Sequence, residues 1–205
     1  MNINQFFVEG GIFMYPLLAC SVVLVAAVLY HILVNVRMGG ISSDLMRLWQ
    51  EVRAGDKAAR RAFLERIVRR RTVAERLLSL IVTHARVDES ELRELVQARA
   101  KEEFVNLEAG LSTIETIVNI APMFGILGTA SGLVEVFGAY GSSTDQDKIA
   151  QGIAQALNTT ITGLAIAAPG VIAASYFTRK LAKRAARMEA LMSEVIAYRS
   201  CLEER

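Results

Sequence analysis

Few side chains in this 205-residue sequence could move a proton, hold a metal or attack a substrate. Two histidines, His31 and His84, and two cysteines, Cys20 and Cys201, make no zinc-binding or Cys–His spacing. The run Gly125–Gly132, "GILGTASG", lacks the lysine of a phosphate-binding loop. With no catalytic constellation, the chain is not expected to be an enzyme, and no metal or cofactor is expected. The notable chemistry is polar groups set in apolar surroundings. Gln155, Asn158, Thr159 and Thr162 fall on one helix face, with Gly163 beside it. Such a face suits either an interior lining or hydrogen bonding between helices. His31 reads as a packed or interfacial histidine, with a proton relay as the alternative.

A second stretch, "APMFGILGTASG" (Ala121–Gly132), pairs small residues with a carboxylate that follows at Glu135. On a helix Gly125, Gly128, Gly132 and Glu135 share one stripe, and Pro122 and Thr129 flank it. Small residues let helices approach closely in a membrane, so the stripe is a packing face or borders an interior. A carboxylate facing lipid is costly, which places Glu135 toward an interior, a water-filled cavity or the outer headgroups. Pro122 and Pro169 each remove a backbone hydrogen bond, which is tolerated where neighbouring groups or water satisfy the freed carbonyl. Two such helices, antiparallel and adjacent in sequence, suit part of an aqueous path. One chain has too few spans to enclose a pore, so the path requires an oligomer or a partner.

The elements that position these groups follow from composition. The chain is 53% hydrophobic, with a mean hydropathy of +0.34. Gly11–Val36, Thr116–Val134 and Ile149–Thr178 contain no Asp, Glu, Lys or Arg over 26, 19 and 30 residues respectively. At about 1.5 Å per residue, each approaches or exceeds a bilayer core of about 30 Å. The expected fold class is an all-α membrane protein with three transmembrane helices, the second and third extended into a helical cytoplasmic domain. The first run is longer than the apolar core of a cleaved signal, and no basic residue precedes it.

Basic residues set the expected orientation. Residues 37–110 carry 15 Lys and Arg, the tail from Arg179 carries 7, and the loop between spans two and three carries only Lys148. Lys and Arg accumulate on the cytoplasmic side. The expected order is an outer segment 1–10, span 11–36, a cytoplasmic domain 37–110, span 111–138, an outer loop 139–148, span 149–178 and a cytoplasmic helix 179–205. This asymmetry accounts for the basic total without nucleic-acid binding. Within the insert, apolar spacings predict helices carrying Leu45, Leu48 and Val52; Phe63, Ile67 and Arg70; and Leu77, Leu80, Ile81 and His84. "RIVRRR" (Arg66–Arg71) suits contact with anionic lipid or a solvated face. A helix of well over 40 residues is expected to run from the insert into span two, because Gly110 is the only helix breaker on the way.

Three stretches, "GGIFMYPLLACS", "APMFGILGTASGLVEVF" and "GIAQALNTTITGLAIAAPG", resemble the spans of the ExbB/TolQ/MotA proton-channel family, over about residues 5–195. Three spans with a large inner insert resemble its ExbB and TolQ branches. The resemblance implies a bacterial inner-membrane protein with its N-terminus periplasmic and its C-terminus cytoplasmic. It implies a homo-oligomer, a pentamer, whose spans two and three line a central channel. That channel would hold single-span helices of an ExbD- or TolR-like partner with a proton-carrying aspartate, and the work would reach a TonB- or TolA-like protein. Thr129 falls on the family's pore threonine of span two and Thr160 on that of span three. Thr160 lies off the Gln155–Thr162 face, so its role comes from the resemblance alone. Where these branches carry glutamate, this chain has Gln155, which cannot ionise. The partner's aspartate then works alone, or Glu135 supplies a carboxylate, or the chain is a non-conducting scaffold.

Overall fold

The structure, a computed structural model, describes residues 11–37, 41–70, 72–139 and 146–202. The expected outer segment 1–10 and most of the loop 139–148 lie outside them. The described residues form six α-helices and no strand: α1 (Met14–Arg37), α2 (Ser43–Arg53), α3 (Lys57–Val68), α4 (Val73–Thr83), α5 (Glu89–Ala139) and α6 (Gln146–Ala197), with a 3-10 turn at Arg199–Cys201. Met14–Leu33, Gly110–Gly138 and a part of Ile149–Ala197 are long and apolar enough to cross a membrane. Helices α5 and α6 run through Pro122 and Pro169 without a break over 51 and 52 residues.

The chain divides into two compact units, residues 32–109 with 178–205, and residues 1–31 with 110–177. In the first unit, local chemistry sets the helix starts. The Ser42 hydroxyl accepts from Asp44 N–H at 3.2 Å, and the Asp56 carboxylate accepts from Ala58 N–H at 2.8 Å. Thr72 and Glu75 form a reciprocal capping box at 3.2 and 3.3 Å. Gly55 closes α2 with φ of +90°, a conformation that glycine adopts without Cβ strain. The expected apolar stripes meet in one core, where Leu45, Trp49, Phe63, Ile67, Leu77 and Ile81 are buried with Leu92, Leu191 and Val195. Arg70 departs from the expected stripe. Helix α3 ends at Val68, and Arg70 turns to a left-handed φ of 47° beyond it.

The second unit is three helix segments with a narrower core. Met14 and Leu17 of α1 pack with Ala121 of α5. Leu24 packs with Leu111, Ile114 and Ile117 of α5 and with Ala174 and Phe177 of α6. His31 is 5% exposed and stacks at 5.3 Å on Phe177. Its Nε2 occupies the space where a Cβ on Gly110 would sit, 2.7 Å away.

Candidate functional site: a threonine pair in a small-residue seam

Helices α5 and α6 are antiparallel along this unit and close on each other through residues with almost no side chain. A Cβ added to Gly125 would lie 3.0 Å from Thr160 Cα, and one on Gly132 would lie 2.9 Å from Ala156 Cβ. At Gly128 it would lie 2.6 Å from Thr159 Oγ1, and at Gly163 it would lie 2.6 Å from the Ala121 carbonyl oxygen. Gly152 is in similar contact with Val136. The glycine stripe of α5 therefore meets α6 of the same chain, and the backbones approach until carbonyls of one helix lie within reach of hydroxyls of the other.

That closeness creates the polar arrangement. Thr129 Oγ1 lies 3.0 Å from Ala156 O on α6 and 3.1 Å from Gly125 O on its own helix. Thr160 Oγ1 lies 3.0 Å from Gly125 O on α5. The two hydroxyls also touch each other. Each hydroxyl has one proton. One of them must donate to the other, and the acceptor then donates its own hydrogen bond to a carbonyl. If Thr129 donates, Thr160 bonds to Gly125 O; if Thr160 donates, Thr129 bonds to Ala156 O or Gly125 O. The pair thus has two directions of hydrogen bonding, both satisfied, and it is only half-buried.

The other residues are distributed around this pair. Thr159 is buried in the seam and donates to Ala156 O at 2.7 Å. Thr162 donates to Asn158 O at 2.7 Å, and Asn158 is half-buried. The Gln155 amide nitrogen lies against Gly11 at the start of the first span, 3.0 Å from where a Cβ would stand. Gly11 has φ of +71°. Glu135 is exposed near the end of α5, one turn from Gly138. Pro122 is half-buried and Pro169 exposed. Among the described residues, no cluster of three or more His, Cys, Asp or Glu could hold a metal ion.

The α6 half of the seam was missed by reading polar residues alone. Gly152, Ala156, Gly163, Ala167 and Gly170 recur at helical spacing and mirror the α5 stripe. Ala156 is 1% exposed, and its carbonyl is near both Thr129 and Thr159. His31 and Gly110, 79 positions apart, gave no local signal of their contact.

Residues 57–190 match the MotA/TolQ/ExbB proton channel family. Among curated relatives, the chain is 31% identical over 174 residues to a biopolymer transport protein, ExbB-like 1, of Synechocystis, covering 78% of this chain and 65% of that one. It is 42% identical over 79 residues to an ExbB homologue of Methanothermobacter thermautotrophicus, covering 38% and 28%. It is 25% identical over 200 residues to the biopolymer transport protein exbB1 of Vibrio cholerae, covering 95% and 87%. The chain thus spans less than two thirds of the length of the first two of these relatives.

Proposed function

The chain belongs to the MotA/TolQ/ExbB proton channel family, and on that footing we propose that it is the channel subunit of an inner-membrane motor driven by proton-motive force. Copies assemble as a ring, a pentamer, around single-span helices of an ExbD- or TolR-like partner. An aspartate of that partner takes up and releases protons, and the resulting motion energises a TonB- or TolA-like envelope protein. The observation that carries this function is the Thr129–Thr160 pair, with its hydroxyls in contact across the α5–α6 seam. The pair is half-buried and so open on one side, where a hydroxyl that accepts a proton from a water or from the partner's aspartate while giving its own to a second water relays the proton with no net change of its own charge. Reorienting the pair resets it for the next proton. Gln155, whose side-chain amide lies beside Gly11 at the start of the first span, needs no charge in this scheme.

A second reading is a non-conducting scaffold that organises an envelope complex. Gln155 favours it, because no ionisable group occupies that position.

The test is reconstitution. The chain is co-expressed with a candidate single-span partner, the complex is purified and its subunits are counted. Proton uptake is then followed in vesicles under an imposed membrane potential. A complex of several copies with proton uptake abolished by removing the partner's aspartate supports the motor. A stable complex with uptake no faster than empty vesicles supports the scaffold.

A further inference from the structure

We propose that Arg179, Lys183 and Arg187 form a docking stripe for anionic phospholipid headgroups at the end of the third span. The proposal stands apart from the proton-channel function and does not depend on it.

On α6 the residues Ile172, Tyr176, Arg179, Lys183 and Arg187 follow +4, +3, +4, +4 spacing and so share one side of the helix. Each faces outward. Ile172 is 72% and Tyr176 57% exposed, and the three cations are exposed as well. Along this one side, the character changes from apolar through an aromatic to three cations. A bilayer presents the same order from hydrocarbon through interface to headgroup. With Tyr176 at the interface, Arg179 and Lys183 lie about 4.5 and 10 Å farther along the helix. The headgroup layer is roughly 5–7 Å deep per leaflet. Arg179 thus stands within it, Lys183 reaches back to it, and Arg187 lies in the counterion layer beyond.

The cations are also available. No Asp or Glu occurs from Ile149 to Met188. Among the described residues, no ion pair or hydrogen bond joins Arg179, Lys183 or Arg187, whereas Lys180 and Arg184 are engaged within the fold. On the facing stretch of α5, Glu103 pairs with Arg76 and Glu102 with Arg99, and Glu108 is exposed there as well. Three exposed cations that form no ion pair among the described residues complement a phosphodiester surface. A zwitterionic lipid offers them no net charge.

The experiment reconstitutes the full chain in phosphatidylcholine containing spin-labelled phosphatidylglycerol or spin-labelled phosphatidylcholine. Electron spin resonance then gives the relative association of the two lipids with the protein. The wild type should prefer phosphatidylglycerol, and added salt should weaken the preference. Arg179→Gln with Lys183→Gln and Arg187→Gln should bring the two lipids to near parity, with a loss on the order of fivefold for each cation removed. Arg179→Lys with Arg187→Lys keeps the charge and should retain the preference, which separates lost charge from lost fold. Removing two exposed cations of α3, Lys57→Gln with Arg61→Gln, should leave it intact. A wild type without preference, a triple variant that keeps it, or equal loss in the α3 variant would each overturn the proposal. In the second case the stripe faces a protein partner or an aqueous cavity instead.

Discussion

Thr129 and Thr160 are 31 positions apart, yet their hydroxyls meet, and each lies 3.0 Å from a backbone carbonyl of the other's helix. The contact exists because glycines at 125, 128 and 163 remove the side chains that would hold the helices apart. The small residues and the polar pair are therefore one device, in which close packing brings two hydroxyls within reach of each other and of two carbonyls.

Removing one hydroxyl should expose the coupling. Thr129→Val keeps the shape and deletes the donor, and Thr160→Val does the same from the opposite helix. Each should cost about 0.6 kcal/mol of stability, and up to roughly 1.7 kcal/mol, the measured range for hydrogen bonds between membrane helices. The double variant should cost less than the sum, because both singles break the same contact. Proton uptake in vesicles should fall several-fold in both singles and recover in Thr129→Ser, which restores the hydroxyl. Additive losses in a double-mutant cycle would show that the two hydroxyls act separately.

The seam predicts a ranking of glycine substitutions. A methyl at Gly163 would press on the Ala121 carbonyl oxygen, which is backbone and cannot rotate away. Gly163→Ala should cost about 1–3 kcal/mol, the usual penalty of overpacking. At Gly138 a Cβ meets nothing within 4 Å, so Gly138→Ala should be neutral or slightly stabilising. Gly128→Leu should disrupt the α5–α6 pairing within one chain and, through it, the oligomer. Thermal unfolding in detergent with size-exclusion chromatography reads all three. Equal melting temperatures for Gly163→Ala and Gly138→Ala would contradict the seam.

How much of this was legible in the sequence depended on the range of the interaction. The long helices were legible because the stretches leading into span two and out of span three, residues 89–118 and 179–205, contain no proline and only one glycine, Gly110, and local apolar spacing gave Phe63, Ile67, Leu77 and Ile81 as core. The end of α3 was not, since three successive arginines continue a helical pattern, whereas the helix ends at Val68 and Arg70 takes a left-handed φ of 47°. The glycine stripe of α5 was visible, but its partner was not, because spacing within one helix says nothing about what lies opposite. Thr160 is the clearest case. Its position off the polar face of α6 is what directs it to Thr129.

In the unit formed by residues 32–109 and 178–205, Arg76 binds Glu103 through two hydrogen bonds of 2.9 and 2.6 Å. That hydrogen bonding holds the Glu103 carboxyl below its ordinary range, 4.5 when unperturbed. A depressed folded pKa contributes stability above the unfolded pKa, and that contribution is lost as pH falls through the folded one. Wild-type stability should therefore drop faster than that of Glu103→Gln between pH 5 and the acid limit, with a difference of about 1 kcal/mol at neutral pH. Melting temperature against pH for both proteins measures this. Parallel curves would mean that the pair contributes nothing.

Orientation is open to direct labelling. The distribution of basic residues puts Gly138 toward the outer face and Ser200 toward the cytoplasm. Both are exposed, and a side chain at Gly138 meets no neighbour. Single cysteines there, in a background without Cys20 and Cys201, should differ on intact spheroplasts. An impermeant thiol reagent should modify Gly138→Cys and spare Ser200→Cys until the membrane is broken. The reverse pattern would invert the topology.

The last question is which acid carries the proton where the chain has Gln155. Glu135 is an available carboxylate on α5, but it is exposed and sits more than one turn beyond Thr129. A group placed there suits an anchor at the outer end of the span better than a member of the hydroxyl relay. Glu135→Gln keeps size and hydrogen bonding and removes only the charge, so proton uptake by the partner-bound complex should be nearly unchanged. Gln155→Ala should weaken uptake without abolishing it, by loosening the start of the first span at Gly11. Thr129→Val should do more harm than either, since it interrupts the proposed relay. An assembled but inactive Glu135→Gln complex would instead assign the missing acid to α5, and the relay would then run outward from Thr129 to Glu135.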